Sequence, residues 1–159
     1  IDACVKANVT LHICADDDGY DDFWQHYSNL DTNKIINYGF VRTSSKSFIK
    51  IAKKCQFVIS TSFSEGRSTS VALAMRTGMV PIVTRDTGHD VMGFGFDIET
   101  GSVDSLVKVV EMAKKLNQGQ LEEMSRKASA YSRTFTQKVF TSSFETFVSE
   151  FEKKVAVKL

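Results

Sequence analysis

Apolar residues recur along this chain in two alternating rhythms. Short runs rich in β-branched and aromatic residues, Val9-Thr10-Leu11-His12-Ile13-Cys14, Phe57-Val58-Ile59-Ser60 and Val80-Pro81-Ile82-Val83, read as buried strands bounded by turn residues. Lys34 to Val41 and Gly93 to Ile98 read as two more strands. Between these runs the apolar positions return at steps of three and four, the period of a helix with one face turned inward. Phe23, Trp24 and Tyr27 mark such a face between Tyr20 and Leu30, and Phe48, Ile51 and Ala52 another between Lys46 and Lys54, where Ser44 or Ser45 can cap the start. Val103, Leu106, Val107, Val110, Ala113 and Leu116 keep the same spacing behind Ser102 or Asp104, and Asn117 with Gly119 is expected to end that helix. Two helices follow, Leu121 to Arg133 and Thr136 to Lys154, the last with a stripe of Val139, Phe140, Phe144, Phe147, Val148 and Phe151. Strands alternating with helices predict an α/β fold, a Rossmann-like parallel sheet with helices on both faces and right-handed crossovers. Ligands of such sheets sit at the carboxyl ends of the strands. The loops at Asp16, Val41, 62–67 and 85–90 all fall on that edge.

One unit organises the rest. From Gln56 to Thr84 the pattern is strand, Gly-containing turn, helix, strand, with Ser70, Val71, Ala74 and Met75 on one helix face, Gly78 at the C-cap, and Pro81, the only proline, soon after. The first N–H groups of a helix lack internal partners and carry the positive end of its dipole, so the turn Ser64-Glu65-Gly66-Arg67 opens onto an anion site, with Glu65 at its mouth.

Length and composition narrow the class. A chain of 159 residues with twelve Phe and 42% hydrophobic residues predicts one domain with a sizeable core. Twenty basic against nineteen acidic residues leave a net charge of +1, which gives no global field for nucleic acid or anionic lipid. Cys4, Cys14 and Cys55 are odd in number and lack metal-ligand spacing, so they read as reduced core thiols of a cytosolic protein. No apolar run is long enough to span a membrane and no signal-peptide pattern opens the chain. Ile1 to Ala7 reads as the last turns of a helix already under way, so the chain is expected to be a fragment.

Ser64-Glu65-Gly66, Ser70, Ala74-Met75, Gly78 and Val80-Pro81-Ile82-Val83-Thr84 together resemble the donor half of GT-B glycosyltransferases, in the branch called family 4 or group 1. Gly39-Phe40-Val41 is similar to the segment before the nucleobase pocket, Gly88 to the glycine loop after the last core strand, and Phe135-Thr136 to the start of the closing helix. The resemblance implies that residues 1–159 form one donor-binding domain truncated at its N-terminal edge, with the acceptor-binding domain absent. The activity it implies is metal-independent transfer of a sugar, with retention, from a nucleotide-diphosphate sugar to a glycan or lipid-linked acceptor. Glu65 would be the catalytic acid of the motif, hydrogen-bonded to the donor sugar. Val41, Ser64, Gly66, Arg67, Ser68, Thr69, Ser70, Gly88 and His89 would line the donor site, and neither a metal nor a cofactor is implied. For Arg67, a phosphate contact and a plain surface position both stay open. The implied partners are the donor and an acceptor reached through an N-terminal domain. Nucleic acid is not among them, and self-association through an exposed closing helix is a further expectation. The implied setting is cytoplasmic, peripheral to the inner face of a membrane where the acceptor is a lipid.

Three departures qualify that picture. The family's second glutamate, eight positions after the first, is Leu73 here. A missing charge-assisted hydrogen bond of roughly 1.5–3 kcal/mol weakens nucleotide binding by about one to two orders of magnitude unless another group substitutes. Leu73 is therefore the best argument for a different class, a non-catalytic GT-B-like module with an assembly or regulatory role. The loop after the first strand is Ala15-Asp16-Asp17-Asp18-Gly19 where the family has glycines, and its acids are expected to point to solvent. The basic phosphate ligands of the family fall upstream of Ile1. Asp16 and Asp18 also spell the D-x-D of GT-A enzymes, but that pattern is far shorter than the GT-B one. An EF-hand is excluded, because the acids do not recur at the required positions. His12, inside a strand, and His26, on a helix, read as structural. His89 lacks the neighbours of a nucleophile, base and orienter set. The Phe stripe reads as core or interdomain packing, because no basic groove accompanies it.

Overall fold

The computed structural model describes residues 1–15, 21–28 and 33–156. Its elements run α1 (Asp2–Lys6), β1 (Leu11–Ile13), α2 (Asp21–Ser28), β2 (Ile35–Asn37), α3 (Lys46–Ala52), β3 (Phe57–Ser60), α4 (Thr69–Arg76), β4 (Val80–Val83), β5 (Phe96–Asp97), α5 (Val103–Ala113), α6 (Gln118–Ser132) and α7 (Gln137–Ala156), with a 3-10 turn at Arg85–Thr87. The acidic loop with its D-x-D pattern at Asp16 and Asp18, and Tyr20 and Leu30 at the ends of the predicted second helix, lie outside the described residues.

All strand pairs among the described residues are parallel, as helical crossovers require. β1 pairs with β2 in the register Leu11 to Ile35, and β3, β4 and β5 form a second sheet in that order, with Phe57 opposite Val80 and Ile82 opposite Phe96. The expected single sheet is thus two separate ladders among the described residues. β4 is buried at all four positions, and the layers close around it. Ile82 packs with Ile98, Leu106, Val109 and Val110 of the α5 side, and Val83 with Val71, Met75, Val91 and Ala128 of the α4 and α6 side. A third cluster, Phe48, Ala52, Ala74 and Met79, joins α3 to α4.

Local chemistry sets most of the boundaries. Ser45 Oγ accepts from Phe48 N at 3.1 Å and Ser102 Oγ from Ser105 N at 3.1 Å, so both predicted caps are in place. Asn117 does the opposite of what the sequence suggested. Its side chain accepts from Gln120 N while Gln120 Oε1 accepts from Asn117 N, a capping box that starts α6 and places Gly119 inside its first turn. The second strand stops at Asn37, because its side chain bonds the Gly39 amide at 2.9 Å and turns the chain, leaving Val41 in the following loop. The fifth strand shrinks to Phe96–Asp97, because Phe94 N bonds back to Val91 O and Gly93 lies in that turn. Cys4 is buried and Cys55 half-buried, but Cys14 is exposed at the end of β1, so only part of the core-thiol expectation stands, and all three thiols are free.

The Phe stripe of α7 is not core. Phe140, Phe144, Phe147 and Phe151 are each more than half exposed, stacked in pairs along the helix with ring centres 6.3 Å apart. Among the described residues, the three interior clusters contain none of these rings. No helix of the described residues is long and apolar enough to cross a membrane.

Candidate functional site

The loop from β3 to α4 and the loop after β4 meet at the carboxyl edge of the sheet. β3 and β4 are parallel neighbours, so both chains leave the sheet side by side. Main-chain bonds then lock the two loops together. Glu65 N donates to Asp86 O at 3.1 Å, Ser68 N to Thr87 O at 3.0 Å, and Thr84 Oγ1 to Ser62 O. Gly88 makes the approach possible. Its φ of +73° suits glycine, and a Cβ there would fall 2.2 Å from the Gly66 carbonyl oxygen. The result is a cleft of about 260 Å³ lined by Phe63, Ser64, Glu65, Gly66, Arg85, Asp86 and Gly88.

Two residues along the chain from Gly66, α4 begins without a side-chain cap. Ser68 occupies the N-cap position and its carbonyl accepts the helical bond from Ala72, yet its hydroxyl pairs with Ser70 Oγ at 3.0 Å and reaches none of the first-turn amides. Those amides keep their capacity for an acceptor, at the end where the helix dipole is positive. Thr69 and Ser70 are exposed, while Val71, Ala74 and Met75 anchor the helix from below.

Two side chains brace this start. Arg67 is exposed, donates from Nε to Gly88 O at 3.3 Å and lays its guanidinium 4.7 Å from the Phe135 ring centre. It enters no ion pair among the described residues. His89 is 3% exposed, enclosed by Tyr131 and Phe135, and donates from Nε2 to Ser68 O at 2.8 Å. Its Nδ1 is buried without a partner, which fits a neutral ring. Burial pushes the imidazole below its ordinary value, and the Arg67 guanidinium adds to that, against the Ser68 carbonyl and the Glu65 carboxylate.

The structure therefore sorts the residues singled out from sequence. Ser64, Glu65, Gly66 and Gly88 share one cleft, with Arg67, Ser68, Thr69 and Ser70 at the adjoining start of α4. His89 stands behind that start and does not line the cleft. Val41 lies apart from it, on the wall of a larger hollow that Ser70 also borders. Sequence reading passed over Phe63, Arg85 and Asp86 as site residues, although 85–90 was placed on the correct sheet edge. Their signal was the position straight after a buried strand. The Phe63 ring lies against Gly101, a closeness that no local pattern encodes. His12 bonds Tyr38 through Nδ1 at 3.0 Å and stacks on its ring, a structural role. Among the described residues no group of three or more His, Cys, Asp or Glu could hold a metal ion.

No protein-family model matches this chain, and no curated protein matches it. Among solved structures, that of Anabaena Alr3699/HepE in complex with UDP and glucose superposes with a TM-score of 0.71 at 16% identity, over 93% of this chain and 44% of that one. The present chain thus spans less than half the length of that chain. At this identity the likeness is one of fold, and the fold is GT-B-like, with parallel strands flanked by helices as in the C-terminal half of that architecture.

Proposed function

We propose that this chain is the donor-binding half of a retaining glycosyltransferase related to family 4, which moves a sugar from a nucleotide-diphosphate donor to a glycan or lipid-linked acceptor. The observation that carries the reading is the meeting of the Glu65 loop and the Gly88 turn over the open start of α4. The diphosphate accepts hydrogen bonds from the amides of Thr69, Ser70 and Val71, which stabilise the charge that grows on the leaving group as the glycosidic bond breaks. Arg67 stands beside them as a further cation for phosphate. Glu65 hydrogen-bonds the sugar in the cleft, and Ser64, Gly66 and Gly88 shape its floor. Ser68 and His89 hold the turn rather than the ligand. The acceptor is bound by another domain, and the whole works in the cytoplasm.

UDP is the first nucleotide to test, since Alr3699/HepE was solved with UDP and glucose. In a thermal-shift screen of uridine, guanosine, adenosine, cytidine and thymidine diphosphates, the expected result is a rise in melting temperature with one base. Ligand at about a hundred times its dissociation constant stabilises by roughly 2.7 kcal/mol. Within the full-length protein, Glu65→Ala abolishes transfer on this reading, and undiminished transfer would remove Glu65 from the catalytic role.

A second reading has its own observation. Leu73 stands half-buried on α4 where the family places its ribose-binding acid. If none of the five diphosphates binds, the chain is a non-catalytic module that has kept the fold. Leu73→Glu distinguishes a pocket lacking one group from no pocket, because it tightens binding only in the first case.

A further inference from the structure

Phe63 is a large apolar side chain that the interior does not use. It is 61% exposed and belongs to none of the three core clusters among the described residues. Single exposed apolar residues are common on protein surfaces and carry no message alone. Two features set this one apart. The ring forms part of the wall of the cleft that also holds Glu65, Arg85 and Asp86. Its outer end is also seated. A Cβ on Gly101 would lie 2.8 Å from Cε2 of the ring and closer still to Cζ, and the three atoms nearest to that Cβ all belong to Phe63. Gly101 is not among the glycines of positive φ, so its backbone does not require glycine, and the space left by its missing side chain is taken by the ring.

The polar side of the cleft narrows the ligand. Glu65, Arg85 and Asp86 are exposed, and none of them enters an ion pair among the described residues. Their carboxylates accept from hydroxyl groups and the guanidinium donates to hydroxyl oxygens, the complement of a polyol. An acidic ring would meet two carboxylates against one cation, which disfavours it. The cleft of about 260 Å³ falls below the range of about 300–1,000 Å³ that encloses drug-sized ligands, so it takes one ring rather than a nucleotide. The π face of Phe is negative, and polarised C–H bonds suit it. A pyranose with equatorial hydroxyls meets both demands, because its faces carry axial C–H bonds and its rim carries the hydroxyls.

Resting on the donor-binding reading above, we propose that Phe63 is the platform for one face of the donor's sugar, that Arg85 and Asp86 read the hydroxyls on its rim beside Glu65, and that Gly101 is the positioning residue that fixes the ring. The sugar is a neutral hexopyranose with equatorial hydroxyls. Platform and rim are tied to each other on both sides. Ser62, the neighbour of Phe63, accepts through its carbonyl from Thr84 Oγ1, and the Glu65 amide donates to the Asp86 carbonyl at 3.1 Å. The loop that carries the ring and the loop that carries the polar groups therefore form one unit, and the gap between them is fixed before a ligand arrives.

The test titrates the full-length protein by calorimetry with the adenosine, cytidine, guanosine, thymidine and uridine diphosphates, and with the glucose conjugate of each. Glucose is the probe because its ring hydroxyls are equatorial. Where a diphosphate binds, its glucose conjugate is expected to bind more tightly. Phe63→Ala should cost the conjugate about fivefold in affinity and leave the diphosphate unchanged. Phe63 lies outside the core clusters, so this variant keeps the fold, which its thermal unfolding checks. Gly101→Ala should give the same selective loss by displacing the ring, and it should add nothing in a Phe63→Ala background. Phe63→Tyr should keep the gain. Equal affinity of the unaltered protein for diphosphate and conjugate overturns the proposal and leaves the donor-binding reading standing, as does a gain that survives Phe63→Ala. A loss shared equally by diphosphate and conjugate assigns the ring to the nucleotide and also overturns it. Failure of every compound to bind removes the donor-binding reading and the sugar platform together.

Discussion

α4 and α6 pack against each other, sharing Val71, Met75 and Ala128 in one cluster, and they begin in opposite ways. α6 is closed by its own residues, with Asn117 and Gln120 exchanging hydrogen bonds of 2.9 and 3.0 Å. α4 has a serine at the same position, a residue equally able to cap, and Ser68 turns its hydroxyl to Ser70 instead. The difference lies in what surrounds each start. Asn117 is exposed and free to fold over its helix, whereas Ser68 is 4% exposed and clamped through its amide by Thr87 and through its carbonyl by His89. A helix that needs only stability saturates its first turn. One held from outside by two loops can leave that turn for a ligand.

The largest effect is expected at Gly88. Gly88→Ala puts a Cβ against the Gly66 carbonyl in a left-handed conformation, and a loss of about 1–3 kcal/mol in chemical denaturation is expected, together with any nucleotide response of the cleft. Asn117→Ala removes the box from α6 and costs about 1 kcal/mol by the same measurement, with nucleotide binding unchanged. Ser68→Ala sharpens the contrast. It deletes no cap, only the hydroxyl pair with exposed Ser70, and should cost about 0.5 kcal/mol, less than Asn117→Ala. A larger loss would mean that Ser68 caps α4 in solution. Glu65→Ala, at an exposed position, is expected to change stability by no more than about 0.5 kcal/mol in either direction, so any loss of function from it is chemical.

Acid perturbs the same start without a mutation. The His89 pKa is lowered in the folded chain, so the unfolded chain binds the proton more readily. Its contribution to stability is complete above the ordinary value of 6.5 and is lost as the pH falls below it. A denaturation series should therefore show stability falling on the acid side of that value, and the fall should vanish in His89→Gln, a change that removes the titration.

Much of the fold was legible because its signals are local. Phe57–Ser60 and Val80–Val83 are read to the residue, since their apolar runs are closed by turn residues on both sides. The errors occur where one residue type serves two purposes. Asn117 and Gly119 suit a helix end, and only Gln120 three residues after Asn117 signals a start. The stripe of α7 has the spacing of a core helix, and periodicity alone does not say what covers it. At the candidate site, Glu65 and Gly66 follow from strand, turn and helix order, whereas Gly88 enters only through the family resemblance. The depth of His89 was not legible, because Tyr131 and Phe135, more than forty residues away in sequence, create it. The break between the two ladders was equally invisible, since each strand taken alone looks central.

Amide chemical shifts during titration with a nucleoside diphosphate show whether the open start of α4 is an anion site. Saturable shifts are expected at Thr69, Ser70 and Val71 with at least one of the five diphosphates, with none from the matching nucleoside and none at Gln118 to Gln120. Silence at α4 with all five, or equal movement at both helix starts, would contradict it.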